Sequence, residues 1–278
     1  MASTGISFRG RTVLVTGASS GIGRATALAF ADSGANLVLV ARRAAVLGKV
    51  AAEARKRGAK TLVTATDVTS ADAVKASFAR AVKRFGGVDI VVNNAGVLVP
   101  SRVVDLRTAD LQRMLDVNLM GALHVMQEAV KHMRAQGRGH IVNVGSLAGR
   151  RGFSPLGGYC ATTFALVGLT EALRTELVGE RIRVSLVLPG VVDTPMAAAA
   201  QHDPATADMW PEALTMPPSW VVWSIFLAIR FRLAEIAVPP GGALLEKLAA
   251  LAPGATDALL RRATDAARML KRPGVPAR

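Results

Sequence analysis

Two hydroxyl side chains and a glycine-rich turn carry most of the chemistry open to this chain. The stretch Thr16-Gly17-Ala18-Ser19-Ser20-Gly21-Ile22-Gly23 stands between an apolar, strand-like run, Arg11 to Val15, and an alanine-rich helical run, Arg24 to Asp32. A strand that turns into a helix through glycines makes a phosphate cradle. Gly17 permits the tight turn, Gly21 lets a pyrophosphate approach the backbone, and Gly23 lets helix and strand pack closely, while the helix N-terminus offers free N–H groups and a positive dipole. Those properties favour an anionic dinucleotide. Further on, Ser146 follows the apolar run Ile141-Val142-Asn143-Val144, and Tyr159 comes 13 residues later. A hydroxyl at the C-terminal edge of a strand sits where the ligands of α/β sheets bind.

Other chemistries fit less well. Ser146 is the nucleophile candidate, but Val144-Gly145-Ser146-Leu147-Ala148 is not a Gly-x-Ser-x-Gly elbow, which disfavours a Ser/His/Asp hydrolase. The histidines His124, His132, His140 and His202 lack metal-ligand spacing and read as solvated or capping residues, so no metal site is expected. The single cysteine, Cys160, excludes an intrachain disulfide framework and fits a reducing, cytoplasmic setting. The polar N-terminus runs straight into the first strand without the pattern of a signal peptide. No segment reaches the roughly 18 uninterrupted apolar residues of a membrane span. The formal charge of +14, most of it before residue 200, would attract polyanions, yet basic residues form no stripe with interleaved aromatics and only 4% of residues are aromatic. Nucleic acid is therefore not an expected partner; an anionic cofactor on a solvated basic surface is.

The elements that must position these groups alternate along the chain. Apolar runs at Thr12 to Thr16, Asn36 to Ala41, Thr61 to Thr66, Asp89 to Asn93, His140 to Ser146 and Arg183 to Leu188 are separated by longer stretches rich in Ala and Leu. Repeated βα units of this kind predict an α/β fold, a Rossmann-like doubly wound parallel sheet buried on both faces. Composition shifts near Ala197. Residues 1–199 are expected to form the dinucleotide-binding and catalytic core, and residues 200–278 a helical substrate-cleft and C-terminal extension of the same domain.

The glycine spacing Gly-x-x-x-Gly-x-Gly, followed by Asn93-Asn94-Ala95-Gly96, Ser146 and Tyr159, resembles the short-chain dehydrogenase/reductase family over about residues 10 to 196. The resemblance implies that Tyr159 is the acid or base at a carbonyl oxygen, that Ser146 donates a hydrogen bond to that oxygen, and that Asn118 holds a water in a proton relay. It also implies cofactor contacts from Gly17, Ser19, Ser20, Gly21, Ile22 and Gly23, from Asp67 and Val68 at the adenine edge, from Asn94, Ala95 and Gly96 at a ribose, from Tyr159, and from Pro189, Gly190, Val192 and Thr194 around the carboxamide. Four residues after the tyrosine the family carries a lysine that binds the nicotinamide ribose and lowers the phenol pKa; here Thr163 stands at that place.

At the end of the second strand the chain reads Val40-Ala41-Arg42-Arg43. A 2′-hydroxyl cofactor commonly meets an acid there, whereas a 2′-phosphate needs cations, so Arg42 and Arg43 point to NADP(H). The expected activity is an NADP(H)-dependent oxidoreductase interconverting a carbonyl and an alcohol by hydride transfer on an apolar small molecule. The alternative is a catalytically impaired NADP(H)-binding protein with a structural or regulatory role. Trp220 to Ile229 is apolar on every side of a helix and ends in Arg230 and Arg232. Such a helix is buried over the cleft, pairs with a second subunit in a homodimer or homotetramer, or lies on a membrane surface, the last being less expected. Leu/Ala helices broken at Pro253-Gly254 are expected over Gly242 to Lys271.

Overall fold

The computed structural model describes residues 6–203, 206, 215–242, 251–258 and 262. The chain runs β1 (Thr12–Thr16), α1 (Gly21–Asp32), β2 (Asn36–Ala41), α2 (Ala44–Lys56), β3 (Thr61–Ala65), α3 (Ala71–Phe85) and β4 (Ile90–Asn93). It continues through α4 (Thr108–Met114), a π-helical turn at Leu115–Met120, α5 (Gly121–Ala135), β5 (Gly139–Val144) and α6 (Gly157–Glu176). The last described elements are β6 (Ile182–Pro189), α7 (Pro195–Gln201), α8 (Pro218–Phe231) and β7 (Glu235–Val238).

Strands rich in Val, Leu and Ile have no face that tolerates water, so they need helices on both sides. The result is a seven-stranded sheet in the order β3-β2-β1-β4-β5-β6-β7, parallel at every pairing. One face is closed by α1, α2 and α8 around Phe8, Phe30 and Phe226, whose rings meet with centroids 4.7–5.0 Å apart. The other face is closed by α3, α5 and α6 over Leu14, Val91 and Ile141. Because every strand points the same way, all their C-terminal ends open on one edge, and chain order reverses between β1 and β4. That reversal opens the crevice in which doubly wound sheets bind ligands.

The seventh strand was absent from the sequence reading. Glu235-Ile236-Ala237-Val238 is short and opens on an acid, so its pattern is weak; pairing with β6 from Leu186↔Glu235 to Pro189↔Val238 creates it. The sheet therefore continues well past residue 199. The apolar helix α8 also differs from expectation. It packs its Val221, Ile225 and Phe226 side against α1 and the sheet, not over the cleft, and leaves Trp220 52%, Trp223 44% and Phe231 62% exposed. Protein of the same chain covers one face alone. Of the helices expected over Gly242 to Lys271, residues 242, 251, 253–258 and 262 are helical, and the break expected at Pro253-Gly254 falls instead at Ala252, because a proline is tolerated in a first helical turn, while 243–250, 259–261 and 263–278 lie outside the described residues. No helix among the described residues is long and apolar enough to cross a membrane.

Candidate active site

The turn after β1 is built from three close approaches. Gly17 takes φ +66°, a left-handed conformation in which a side chain would be strained. A Cβ at Gly23 would stand 2.3 Å from the Gly17 carbonyl oxygen, so only glycine lets α1 start this close to the strand. No side chain caps the N-terminus of α1 at Ser20, which leaves its first-turn N–H groups for a ligand. The Thr16 hydroxyl sits behind the turn and accepts hydrogen bonds from the backbone N–H groups of Asn94 at 2.9 Å and Ala95 at 3.0 Å, while the Asn94 amide donates to the Thr16 carbonyl at 3.1 Å. The turns after β1 and β4 are thus one unit. An uncapped helix start, a glycine cradle that a Cβ would fill, and the guanidinium groups of Arg42 and Arg43, of which Arg43 reaches the Ser19 hydroxyl at 3.4 Å, form a donor set that fits a nicotinamide dinucleotide.

A cavity of about 460 Å³ runs along this edge of the sheet. Of the residues singled out in the sequence, Gly17, Ser19, Ser20, Gly21, Ile22, Arg42, Arg43, Asp67, Val68, Asn94, Ala95, Gly96, Asn118, Tyr159, Thr163 and Thr194 line it. Five others do not. Gly23 serves the helix packing just described, and Val192 is buried in a bridge to Met216. Pro189 and Gly190 stand where β6 ends against β7, the Gly190 N–H donating to Val238 at 2.7 Å. Ser146 reaches the site through its hydrogen bond with the Tyr159 phenol. Thr194 caps α7 by accepting from the Ala197 N–H at 3.2 Å, and its methyl closes on Gly21, where a Cβ would come within 3.0 Å.

Around Tyr159 the described lining, Val144, Gly145, Thr163 and Leu166, carries no charge. Burial pushes the Tyr159 phenol above its ordinary value of 10.0, and the hydrogen bond with Ser146 offsets part of that rise. The Ser146 hydroxyl accepts from the Ala148 N–H at 3.1 Å and has the Pro189 carbonyl as a distant acceptor at 3.4 Å, so its proton is loosely held. Thr163 is buried at 3% exposure, and its hydroxyl donates back to its own helix, to the carbonyls of Tyr159 and Cys160, both at 3.0 Å. Neighbouring cations are committed elsewhere. Arg150 bonds Glu171 at 2.6 Å and also Glu235, and Arg151 bonds Asp257.

Asn118 lies in the π-helical turn and is buried. Its amide donates to the Val97 carbonyl at 2.9 Å and to the Thr162 hydroxyl at 3.0 Å, and its oxygen accepts from the Val97 N–H at 2.8 Å. Thr162 in turn donates to the Tyr159 carbonyl at 2.9 Å. Asn118 therefore ties the loop after β4 to the turn of α6 that carries the phenol. A second buried ladder holds the strands beneath: Asn93 donates to Asn143 at 3.1 Å, and Asn143 donates to Thr170 at 2.9 Å.

One reading of the histidines is corrected here. His140, expected to be solvated or capping, is 7% exposed within β5. Ser185 spends its proton on the Leu233 carbonyl at 2.5 Å, so His140 donates from Nε2 to Ser185 at 2.8 Å. Burial first, then the charges of Arg183 and Arg232, lower its pKa to about 4. Among the described residues no cluster of His, Cys, Asp and Glu could hold a metal ion. The sequence reading also missed Arg113, Leu98, Leu166 and Met196, which line the cavity. Arg113 had a usable signal, since it precedes Val117 by one helical turn in the segment that carries Asn118.

The family model described as short chain dehydrogenase matches residues 11–205. The uncharacterized oxidoreductase YxnA of Bacillus subtilis is 32% identical over 272 residues, 96% of this chain and 76% of that protein. The 3beta-hydroxysteroid dehydrogenase of Mediterraneibacter gnavus is 38% identical over 197 residues, 70% of this chain and 71% of that protein. Among solved structures, 3-ketoacyl-(acyl-carrier-protein) reductase from Brucella melitensis, complexed with NADH, is similar with a TM-score of 0.76 and 28% identity, over 85% of this chain and 99% of that one.

Proposed function

This chain belongs to the short chain dehydrogenase family, an oxidoreductase family acting on CH–OH and C=O groups through a nicotinamide cofactor, and we propose that it is an NADP(H)-dependent carbonyl reductase working on an apolar substrate. The observation that carries the reading is one cavity lined at one end by Arg42 and Arg43, neither of which has a carboxylate partner among the described residues, and at the other by a protonated Tyr159 bonded to Ser146. The bound cofactor supplies the hydride. The chain's own residues supply orientation and the proton. Tyr159, kept protonated by burial, donates its phenolic proton to the substrate's carbonyl oxygen as negative charge develops there. Ser146, whose proton is loosely held, donates to the same oxygen. Asn118 keeps the phenol in place through Thr162, and both of its amide hydrogens are already used, so we assign it a positioning role. Leu98, Leu166 and Met196 give the cavity an apolar wall, a lining that suits a substrate of the breadth seen in the steroid and acyl chemistry named for its relatives.

Thr163 sets the direction. By resemblance the family has a lysine there, whose charge favours phenolate; a threonine bonded to its own helix does not. Reduction starts from the protonated phenol and keeps most of its rate, whereas alcohol oxidation needs the phenolate and is slow at neutral pH. The same feature favours a second reading, a chain that binds NADP(H) with little turnover in a structural or regulatory role. A ketone panel with NADPH, run beside titration calorimetry of NADPH and NADH, separates the two. The expected result is reduction of apolar ketones and a preference for NADPH of about tenfold or more, the size of one charge-assisted phosphate contact. Binding without turnover selects the second reading, and equal affinities sink the assignment of Arg42 and Arg43.

Residues 1–199 hold the cofactor and catalytic core in this reading, since every described residue that lines the cavity falls among them, while α8 and β7 extend the sheet and its cover. The exposed Trp220, Trp223 and Phe231 of α8, with β7 the last strand of the sheet among the described residues, suit a second copy of the chain in a homodimer. Sedimentation at micromolar concentration should give a dimer or tetramer, and a monomer that binds anionic vesicles would replace the second copy with a membrane surface. With a lone buried cysteine, the cytoplasm is the compartment proposed.

A further inference from the structure

The cavity holds three guanidinium groups, and the sequence reading accounts for two. Arg113 projects from α4 into the same space as Arg42 and Arg43. Its neighbours in sequence are matched: Arg102 pairs with Asp105 at 2.6 Å and Arg107 with Asp110 at 3.2 Å. The acids that could pair Arg113 are occupied. Asp116 accepts from Gln112 at 2.7 Å, and Asp67 accepts from the backbone and hydroxyl of Thr69, both at 3.0 Å. Among the described residues the Arg113 side chain has no hydrogen bond and no ion pair.

The face of the helix on which Arg113 sits is known from its contacts. One turn on, Val117 packs into the cluster that contains Val68. A further turn on, a Cβ at Gly121 would stand 2.6 Å from the Val68 side chain, and His124 Nδ1 lies 3.0 Å from the Val68 carbonyl. Residues three to four apart share a helix face. Arg113 therefore overhangs the turn after β3, whose strand lies beside β2 and its trailing Arg42 and Arg43. Three cations facing one space repel one another until a multivalent anion enters.

We propose that Arg113 closes over the adenosine end of the cofactor from the wall opposite Arg42 and Arg43, as a third contact to the 2′-phosphate. This rests on the NADP(H) reading above and deepens it. The phosphate dianion offers three oxygens, enough for three guanidinium partners on different sides. A site clamped from two walls discriminates by the phosphate's presence and also orients the adenosine in the cleft. Arg113 is then a specificity determinant drawn from an element far from the second strand.

Titration calorimetry on the intact protein tests it, with adenosine 2′,5′-bisphosphate and ADP as probes, so no turnover is needed. Arg113→Ala should weaken the 2′,5′-bisphosphate roughly tenfold and ADP by less than about twofold, and Arg113→Lys should restore part of the loss. Arg42→Ala serves as the reference for the underlying reading. If Arg42→Ala weakens the 2′,5′-bisphosphate while Arg113→Ala does not, the third contact is wrong and NADP(H) recognition stands. If Arg113→Ala weakens both probes equally, its partner is not the 2′-phosphate and the assignment is overturned. If the unsubstituted protein binds the two probes equally, the NADP(H) reading has itself failed.

Discussion

The two ends of the cavity are built on opposite principles. At the end proposed for the adenosine, Arg42, Arg43 and Arg113 are exposed, cationic and without carboxylate partners among the described residues. At the catalytic end Tyr159, Ser146 and Thr163 carry no charge, and nearby Arg150 and Arg151 are turned away into ion pairs. In the function proposed above, one end supplies affinity through charge and the other sets a proton's position through burial and hydrogen bonds alone. Charge at the far end cannot correct the phenol, because exposed cations beyond about 8–10 Å are screened by salt. The proposed function therefore predicts that affinity for cofactor and competence for proton transfer are separable.

Removing the phenolic hydroxyl gives the largest separation. Tyr159→Phe should lower ketone reduction by about 100- to 10,000-fold, the range of a general acid, while NADPH affinity by calorimetry changes by no more than a few-fold. A comparable loss of affinity would mean that the two ends are coupled.

Much of the fold that positions the two ends was legible in the sequence. Buried parallel strands read as continuous apolar runs, so six of them were placed within two residues, and a glycine turn between strand and helix has few other uses. Arg42 and Arg43 were singled out by their place after β2, and both line the cavity. What stayed hidden depends on contacts distant in sequence. β7 exists because β6 offers it an edge. α8 reads as apolar all round, and its inner and outer faces are decided by where Phe226 meets Phe8 and Phe30. The commitment of the Thr163 hydroxyl to Tyr159 and Cys160 is a matter of rotamer. His140 shows the same limit, since its burial arises from Ser185 and Leu233 on other elements.

His140 also has a use in sharpening the comparison, because it titrates where the catalytic end does not. Its folded pKa of about 4 lies below the ordinary 6.5. The unfolded chain therefore takes up this proton first as pH falls. The contribution to stability is complete above about pH 6.5 and is lost between there and pH 4, by up to about 3 kcal/mol. Denaturant unfolding at pH 7 and pH 4.5 should show the loss, and His140→Gln, which keeps a donor toward Ser185 without titrating, should remove much of it. Equal losses in the two proteins would show that His140 is not the group responsible. An acid limb in any activity profile then belongs to the fold and not to the phenol.

The most direct test of an uncharged catalytic end is the pH dependence of alcohol oxidation at saturating cofactor, from pH 6 to 10.5, for the protein and for Thr163→Lys. The phenol lies above its ordinary value, so the rate of the unsubstituted protein should climb across the range without a plateau below about pH 10. A lysine at position 163 should move the rise toward neutrality and lift turnover at pH 7 by about tenfold or more. A plateau below pH 8 in the unsubstituted protein, or equal turnover of the two forms at pH 7, would show that another group charges the site and would contradict the account.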